Sequence, residues 1–247
     1  MSSSLFGTLN ISRTDILSRL RDLDVVSNNI GNVNTSGFKS NRSNFQEMLN
    51  KKVEEGTRIP NTQLLLNQGS LVDSDSPLDW GIQGEGFFSV TLPNGDTGYT
   101  RDGEWKLDTN RDIANANGYP LVWDGEVPET AVDINILQDG TVTATDAAGA
   151  VTEIGNVELT RFPNATGLTG YGDNVWLESD SSGVAQTGAP GADGFGIVVS
   201  HKVEQSNVNL GRELSRLMTL QRSFGMSISA FQQTDTMISL AINLRKA

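Results

Sequence analysis

The chain has 247 residues, 36% of them hydrophobic and 26 of them glycine, with no cysteine and a formal net charge of −12. That length can hold one large domain or two small ones, and the modest apolar content favours many turns over one thick core. The lack of cysteine excludes a disulfide framework, a zinc–thiolate site and a thiol nucleophile, and a single histidine, His201, excludes a metal site built from several histidines; near a strand end His201 reads as a surface or packing residue.

The N-terminal helix is predicted from about Leu5 to Val33. Leu9, Ile16, Leu23 and Ile30 recur every seventh residue, the period of helices that lie along one another. Leu20 and Val33 widen the stripe, while Arg13, Asp15, Arg19, Arg21 and Asp22 are mostly assigned to other, solvated faces. Asn28, Asn29, Asn32 and Asn34, followed by Thr35-Ser36-Gly37-Phe38, read as a helix stop and a turn. Their amides either only end the helix or also hydrogen-bond neighbouring chains. Residues 39–70 are polar, contain Pro60 and read as an extended connector.

From Leu71 to about Val203 the pattern is strand and turn. Phe87–Leu92 and Gly98–Arg101 flank a Pro-Asn-Gly-Asp turn, and Asp102-Gly103 and Asp139-Gly140 each carry a hairpin signal. Further strands fit 156–162 and 175–178, and Trp80, Trp105, Trp123 and Trp176 suit core or surface anchoring. Asp73, Asp75 and Asp79 lack the spacing of a calcium loop. Gly191–Gly196 lacks the dinucleotide fingerprint and reads as a turn. The second helix is expected from Asn209, a candidate N-cap, to about Arg245. Leu210, Leu217, Phe224, Phe231 and Ile238 form its seven-residue line, joined by Leu214, Ile228 and Ile242 and interrupted by Gln221 and Asp235. Met218, Met226 and Met237 lie outside that seam, so the helix needs more than one neighbour.

The charge follows the same division. Residues 61–200 hold 4 Lys/Arg and 21 Asp/Glu, a net −17, whereas residues 1–60 and 201–247 come to +2 and +3. An acidic middle reads as solvated surface and argues against nucleic-acid binding. No apolar run reaches the ~20 residues of a bilayer span, so no direct membrane insertion is expected. Met1–Phe6 lacks the features of a cleavable secretory signal. The expected fold class is α+β: long N- and C-terminal helices paired as a coiled-coil-like layer, with an inserted irregular antiparallel β domain. The expected divisions are 1–38, 39–70, 71–203 and 204–247. No catalytic, cofactor or metal constellation is visible, and neither an enzyme nor a cofactor is expected.

Leu23 to Lys39, which reads LDVVSNNIGNVNTSGFK, closely resembles the N-terminal motif of the bacterial flagellar rod and hook proteins. Gln83–Phe88, Tyr99–Gly103 and Gly118–Leu121 resemble the opening of that family's β domain, and Ser206–Asn209 with Leu217 and Gln221–Phe224 resembles the entry of its C-terminal helix. The likeness covers nearly the whole chain in order, and is greatest to the family's distal-rod branch. The resemblance implies a structural subunit that polymerises into a hollow helical tube. In that arrangement the terminal helices line the inside, the β domain lies outside, and torque passes from motor to hook. It also implies export through the flagellar apparatus without signal cleavage, location in the basal body across the periplasm or cell wall, and contact with other rod proteins, the hook protein and surrounding rings. The assembly residues so implied are the seam residues named above, together with Asn28, Asn29, Asn32, Asn34, Phe38, Asn207 and Asn209. A proximal-rod subunit, and a secreted or phage-type binding module on a helical stalk, remain as alternatives.

Overall fold

The computed structural model describes residues 2–44 and 61–244. The chain divides into two units, one gathering residues 1–31, 41–63 and 209–247 and the other residues 32–40 and 64–208. The first holds the long helices α1 (Ser2–Gly31) and α2 (Leu210–Leu244), together with a short sheet of Asn41–Asn44 paired with Asn61–Leu64. The second is all strand and turn, so the class is α+β. Residues 45–60 of the expected connector lie outside the described residues.

Both helix boundaries have local causes. Asn209 caps α2 through its Oδ1, which accepts from the Arg212 N–H at 3.0 Å. Helix α1 stops where Asn32 turns the chain: its carbonyl accepts from Thr35 N at 3.2 Å, and its Oδ1 accepts from Thr35 Oγ1 at 3.1 Å. Gly37 follows at a φ of 66°, and a Cβ there would stand 2.4 Å from the Arg101 backbone. Only glycine meets both conditions.

In the β unit every strand pairing is antiparallel. One four-stranded sheet orders Thr169–Gly172, Val175–Leu177, Thr97–Thr100 and Phe88–Thr91; another orders Ala131–Ile136, Thr141–Asp146, Val151–Asn156 and Asp124–Gly125. Trp80–Gln83 pairs with Ile197–Ser200, and Leu71–Asp73 pairs with Lys202–Glu204. The main core gathers Trp80, Ile82, Phe88, Val90, Trp105, Ile113, Val142, Val157, Leu159 and Val198. A second cluster gathers Leu64, Phe87, Tyr99, Phe162, Leu168 and Trp176, and its aromatic rings meet edge to face, with Tyr99 and Phe162 centroids 4.8 Å apart.

The hairpin expected at Asp139-Gly140 forms, with Gly140 N–H donating to Leu137 O at 3.0 Å. The one expected at Asp102-Gly103 does not. Lys106–Leu107 pairs instead with Ile113–Ala114, and Glu104 bridges to Asp79. Gly103 is needed for close packing rather than for a turn: its carbonyl accepts from Trp80 N at 2.9 Å, and an added Cβ would lie 1.9 Å from Trp80 O. The acidic loop likewise closes on itself, as Asp79 accepts from Ser74 and Asp73 pairs with Lys202.

Burial, reinforced by the neighbouring Glu104 and Asp79 carboxylates, pushes the Asp102 carboxyl up to about 6 despite backbone N–H donors that favour its charged form. The folded state therefore holds this proton more tightly than the unfolded chain, and this group's contribution to stability falls as pH rises from about 4 to about 6. Asp102→Asn, which keeps the acceptor for Glu104 N, is expected to match wild type below pH 4. Above pH 6 it should be the more stable by on the order of 1–3 kcal/mol, measured as the difference between urea-unfolding curves across pH.

Candidate assembly surface

The contact between α1 and α2 mixes polar and apolar side chains. On α1 the buried line is Ser18, Asp22, Val26 and Asn29, spaced three and four residues apart. Arg19 donates from Nε to Asp15 Oδ2 at 2.9 Å and to Ser227 Oγ at 3.0 Å, and from Nη1 to Ser223 Oγ. Ser227 in turn donates to Asp15. Burial works to raise the Asp15 carboxyl, but the hydrogen bonds from Arg19 and Ser227 outweigh it and hold the group below its ordinary value. Two turns further along, Arg216 Nη2 reaches Asp22 Oδ1 at 3.4 Å. Leu220 is the buried apolar residue on the α2 side. Ser18 Oγ and Glu213 Oε2 are buried without a hydrogen-bond partner among the described residues. Asp15, Arg19 and Asp22 were expected on solvated faces; they lie between the helices instead. Asp15, Asp22 and Asn29 share the seven-residue spacing of the apolar stripe, so period alone does not distinguish the two lines.

The apolar stripe of α1 stands roughly a third of a turn away from this line. Ile16, Leu23 and Ile30 are half-buried there, while Leu17 is 50% and Leu20 40% exposed. On α2, Leu217, Phe224, Ile228, Phe231 and Ile238 are half-buried on the side of the helix that carries Leu220, and Leu210 and Leu214 are exposed. Met226 and Met237 are 68% and 61% exposed, with Met218 and Leu240 exposed beside them. The side chains of Leu9 and Ile242 lie outside the described residues.

Several asparagines named as candidate contacts are occupied within the chain. Asn29 is buried and exchanges two hydrogen bonds with the Asn41 backbone, each at 2.9 Å. Asn207 accepts from Ser40 N at 2.7 Å and donates to Leu65 O and Asn67 O at 2.7 and 2.8 Å. Phe38 is buried, and Asn209 is the helix cap. Asn28 and Asn34 are exposed, and Asn32 is half-buried.

Within the β unit, the segments by which the chain enters and leaves are fastened around one buried carboxylate. Glu204, 1% exposed, accepts at Oε1 from Lys39 Nζ at 2.5 Å and from Gly69 N at 2.7 Å, while Arg101 Nη1 stands 3.4 Å from Oε2. The Glu204 carbonyl accepts from Gly37 N at 2.6 Å. Arg101 also donates to Gly84 O at 2.8 Å and lies over the Phe87 ring. Burial lowers the Lys39 ammonium and the Arg101 guanidinium below their ordinary values, and the Glu204 charge opposes both shifts. Sequence reading assigned these three residues no role; the partners lie between 62 and 165 positions apart, and no periodic pattern links them. No group of three or more His, Cys, Asp or Glu is placed to hold a metal among the described residues. Nor is any described helix long and apolar enough to cross a membrane.

Family models match three stretches of the chain: "Flagella basal body rod protein" over residues 18–39, "Flagellar hook protein FlgE/F/G D1 domain" over 81–144, and "Flagellar basal body rod FlgEFG protein C-terminal" over 199–244. The flagellar basal-body rod protein FlgG of Caulobacter vibrioides is 33% identical, covering 96% of this chain and 98% of its own length. FlgG of Borreliella burgdorferi is 32% identical over 91% and 93% of the two chains. FlgF of Mesorhizobium japonicum is 28% identical over 95% and 94%.

Two outcomes follow from the buried charges. Glu204→Gln leaves Lys39 and Arg101 without their counter-charge, and should lower the stability of the β unit by about 3–5 kcal/mol, read from the urea midpoint of tryptophan fluorescence. The double change Asp22→Leu with Arg216→Leu substitutes apolar packing for a partly exposed ion pair, and should stabilise the helix pair by on the order of 1 kcal/mol. Its readout is a higher melting temperature of the helical signal in dilute protein.

Proposed function

The chain belongs to the flagellar basal-body rod proteins, sharing the length and order of FlgG, and from that premise we propose how it builds the distal rod. It is a structural subunit of the basal body, and assembly into the rod with other flagellar components follows from the family. In the proposed reading the chain forms a helical homopolymer. Residues 1–38 and 204–247 make a coiled-coil-like layer lining a hollow tube, residues 39–70 connect, and residues 71–203 form the outer layer. The tube transmits torque to the hook and passes exported subunits. Neighbouring rod proteins, the hook protein, the surrounding rings and the export apparatus are its partners.

One observation supports this reading above the others. Helices α1 and α2 share a contact that is partly polar and leave Leu17, Leu20, Met218, Met226, Met237 and Leu240 exposed. Burying an apolar side chain is worth about 1.5–3 kcal/mol, so the outward residues gain most when further copies cover them. The helices then order as neighbours arrive, which is coupled folding and association. The acidic β unit is suited to face solvent.

Met226→Asp and Met237→Asp test this, because both positions are exposed in the single chain. Each is expected to leave the fold of dilute protein unchanged by circular dichroism while abolishing filament growth in electron micrographs of concentrated protein. Normal filaments from both variants would remove the helices from the polymer interface.

A further inference from the structure

We infer that the groove between the two four-stranded sheets of the β unit is a binding site for a neutral oligosaccharide. Every residue of the site lies within that one unit, so the inference is independent of polymerisation. A cavity of about 590 Å³ opens there, within the roughly 300–1,000 Å³ of small-ligand sites. Ser89 lines it from one sheet, and Asp124 and Asn156, which pair with each other, line it from the other. The two sides are joined by Val122, whose N–H donates to Ser89 O at 2.8 Å. The groove is therefore built into the fold before any ligand arrives.

Three kinds of surface meet in it. At the floor, Ser89 Oγ and Thr160 Oγ1 lie 2.9 Å apart, and both residues are more than nine-tenths buried. One hydroxyl donates to the other, and the second proton has no acceptor among the described residues, so the floor offers a donor. Along the rim, the side chains of Asp124, Asn156, Glu158 and Thr187 have no hydrogen-bond partner among the described residues. The wall adds an apolar face, where the half-buried Trp123 stands with Val122 and Val157. Its ring is seated against Gly125, where an added Cβ would lie 2.3 Å away. A sugar ring alternates hydroxyls, which both donate and accept, with C–H faces that pack on an aromatic ring, and so uses all three surfaces. A cationic side chain would meet the carboxylates and leave the floor proton without an acceptor. An anion would face Asp124, Asp139 and Glu158 with no Lys or Arg in the lining. The ligand that fits is polar, hydroxylated and uncharged.

Calorimetric titration of the dilute full chain with chitotetraose, with cellotetraose and with tetra-arginine tests the assignment. At least one of the two saccharides is expected to bind. Trp123→Ala should weaken that binding by about tenfold or more, and Ser89→Ala and Asn156→Ala by about threefold or more each. Where Trp123→Ala fails to fold, Asn156→Ala carries the same comparison from an exposed position. No binding of either saccharide at millimolar concentration overturns the inference. Saccharide affinity unchanged in all three variants overturns the groove as its location. Binding of tetra-arginine alone, lost in Asp124→Asn or Glu158→Gln, overturns the saccharide in favour of a basic peptide. The titration needs no filaments, so any of these failures leaves the polymerising reading standing.

Discussion

A single buried carboxylate organises the β unit. Removing a charged group from water costs several kcal/mol per ion even after relaxation, and Glu204, Lys39 and Arg101 are all buried. The arrangement is tolerable because Glu204 Oε1 meets both an ammonium and a backbone N–H, while Arg101 spends a second arm on a carbonyl and lies over an aromatic face. Its structural effect is to clamp residues 37–40 against residues 204–207, since Gly37 bonds to Glu204 and Asn207 to Ser40. Both passages out of the β unit are thereby held at one place. A domain inserted into a chain needs its two ends together, and here a buried ion cluster supplies that condition.

The helical unit places polar side chains beside apolar ones in its internal contact. Intramolecular contacts ordinarily take the apolar residues and leave polar ones to water. Here Asp15, Arg19, Asp22, Arg216, Ser223 and Ser227 are spent between the two helices, and Leu17, Leu20, Met218, Met226 and Met237 stay outside. Polar contacts are directional, so they set a register without contributing much net stability. Within one chain, the two helices are tied in part by these side chains.

Two orders of glycine use show how local and tertiary demands mix. Gly140 does what its Asp-Gly sequence announces, turning one strand into the next. Gly103, in the same dipeptide, is required because the Trp80 backbone passes where a side chain would sit. A dipeptide reports what the backbone can do; which of its uses is taken depends on what packs against it.

The sequence by itself determined the two long helices, their approximate ends, the antiparallel strand-and-turn middle and the family blocks beside each helix, because these depend on interactions within a few residues. Helical period, N-caps and turn chemistry are local and survive in a linear reading. It also marked the methionine face of α2 as surplus to one partner. Only the tertiary structure decided which of two equally spaced lines on α1 faces α2, that Asn29 and Asn207 are occupied inside the chain, and that Lys39, Arg101 and Glu204 form one cluster. Those outcomes are set by contacts between residues far apart in sequence, where the cost of burying a charge is met by a partner that no local pattern names.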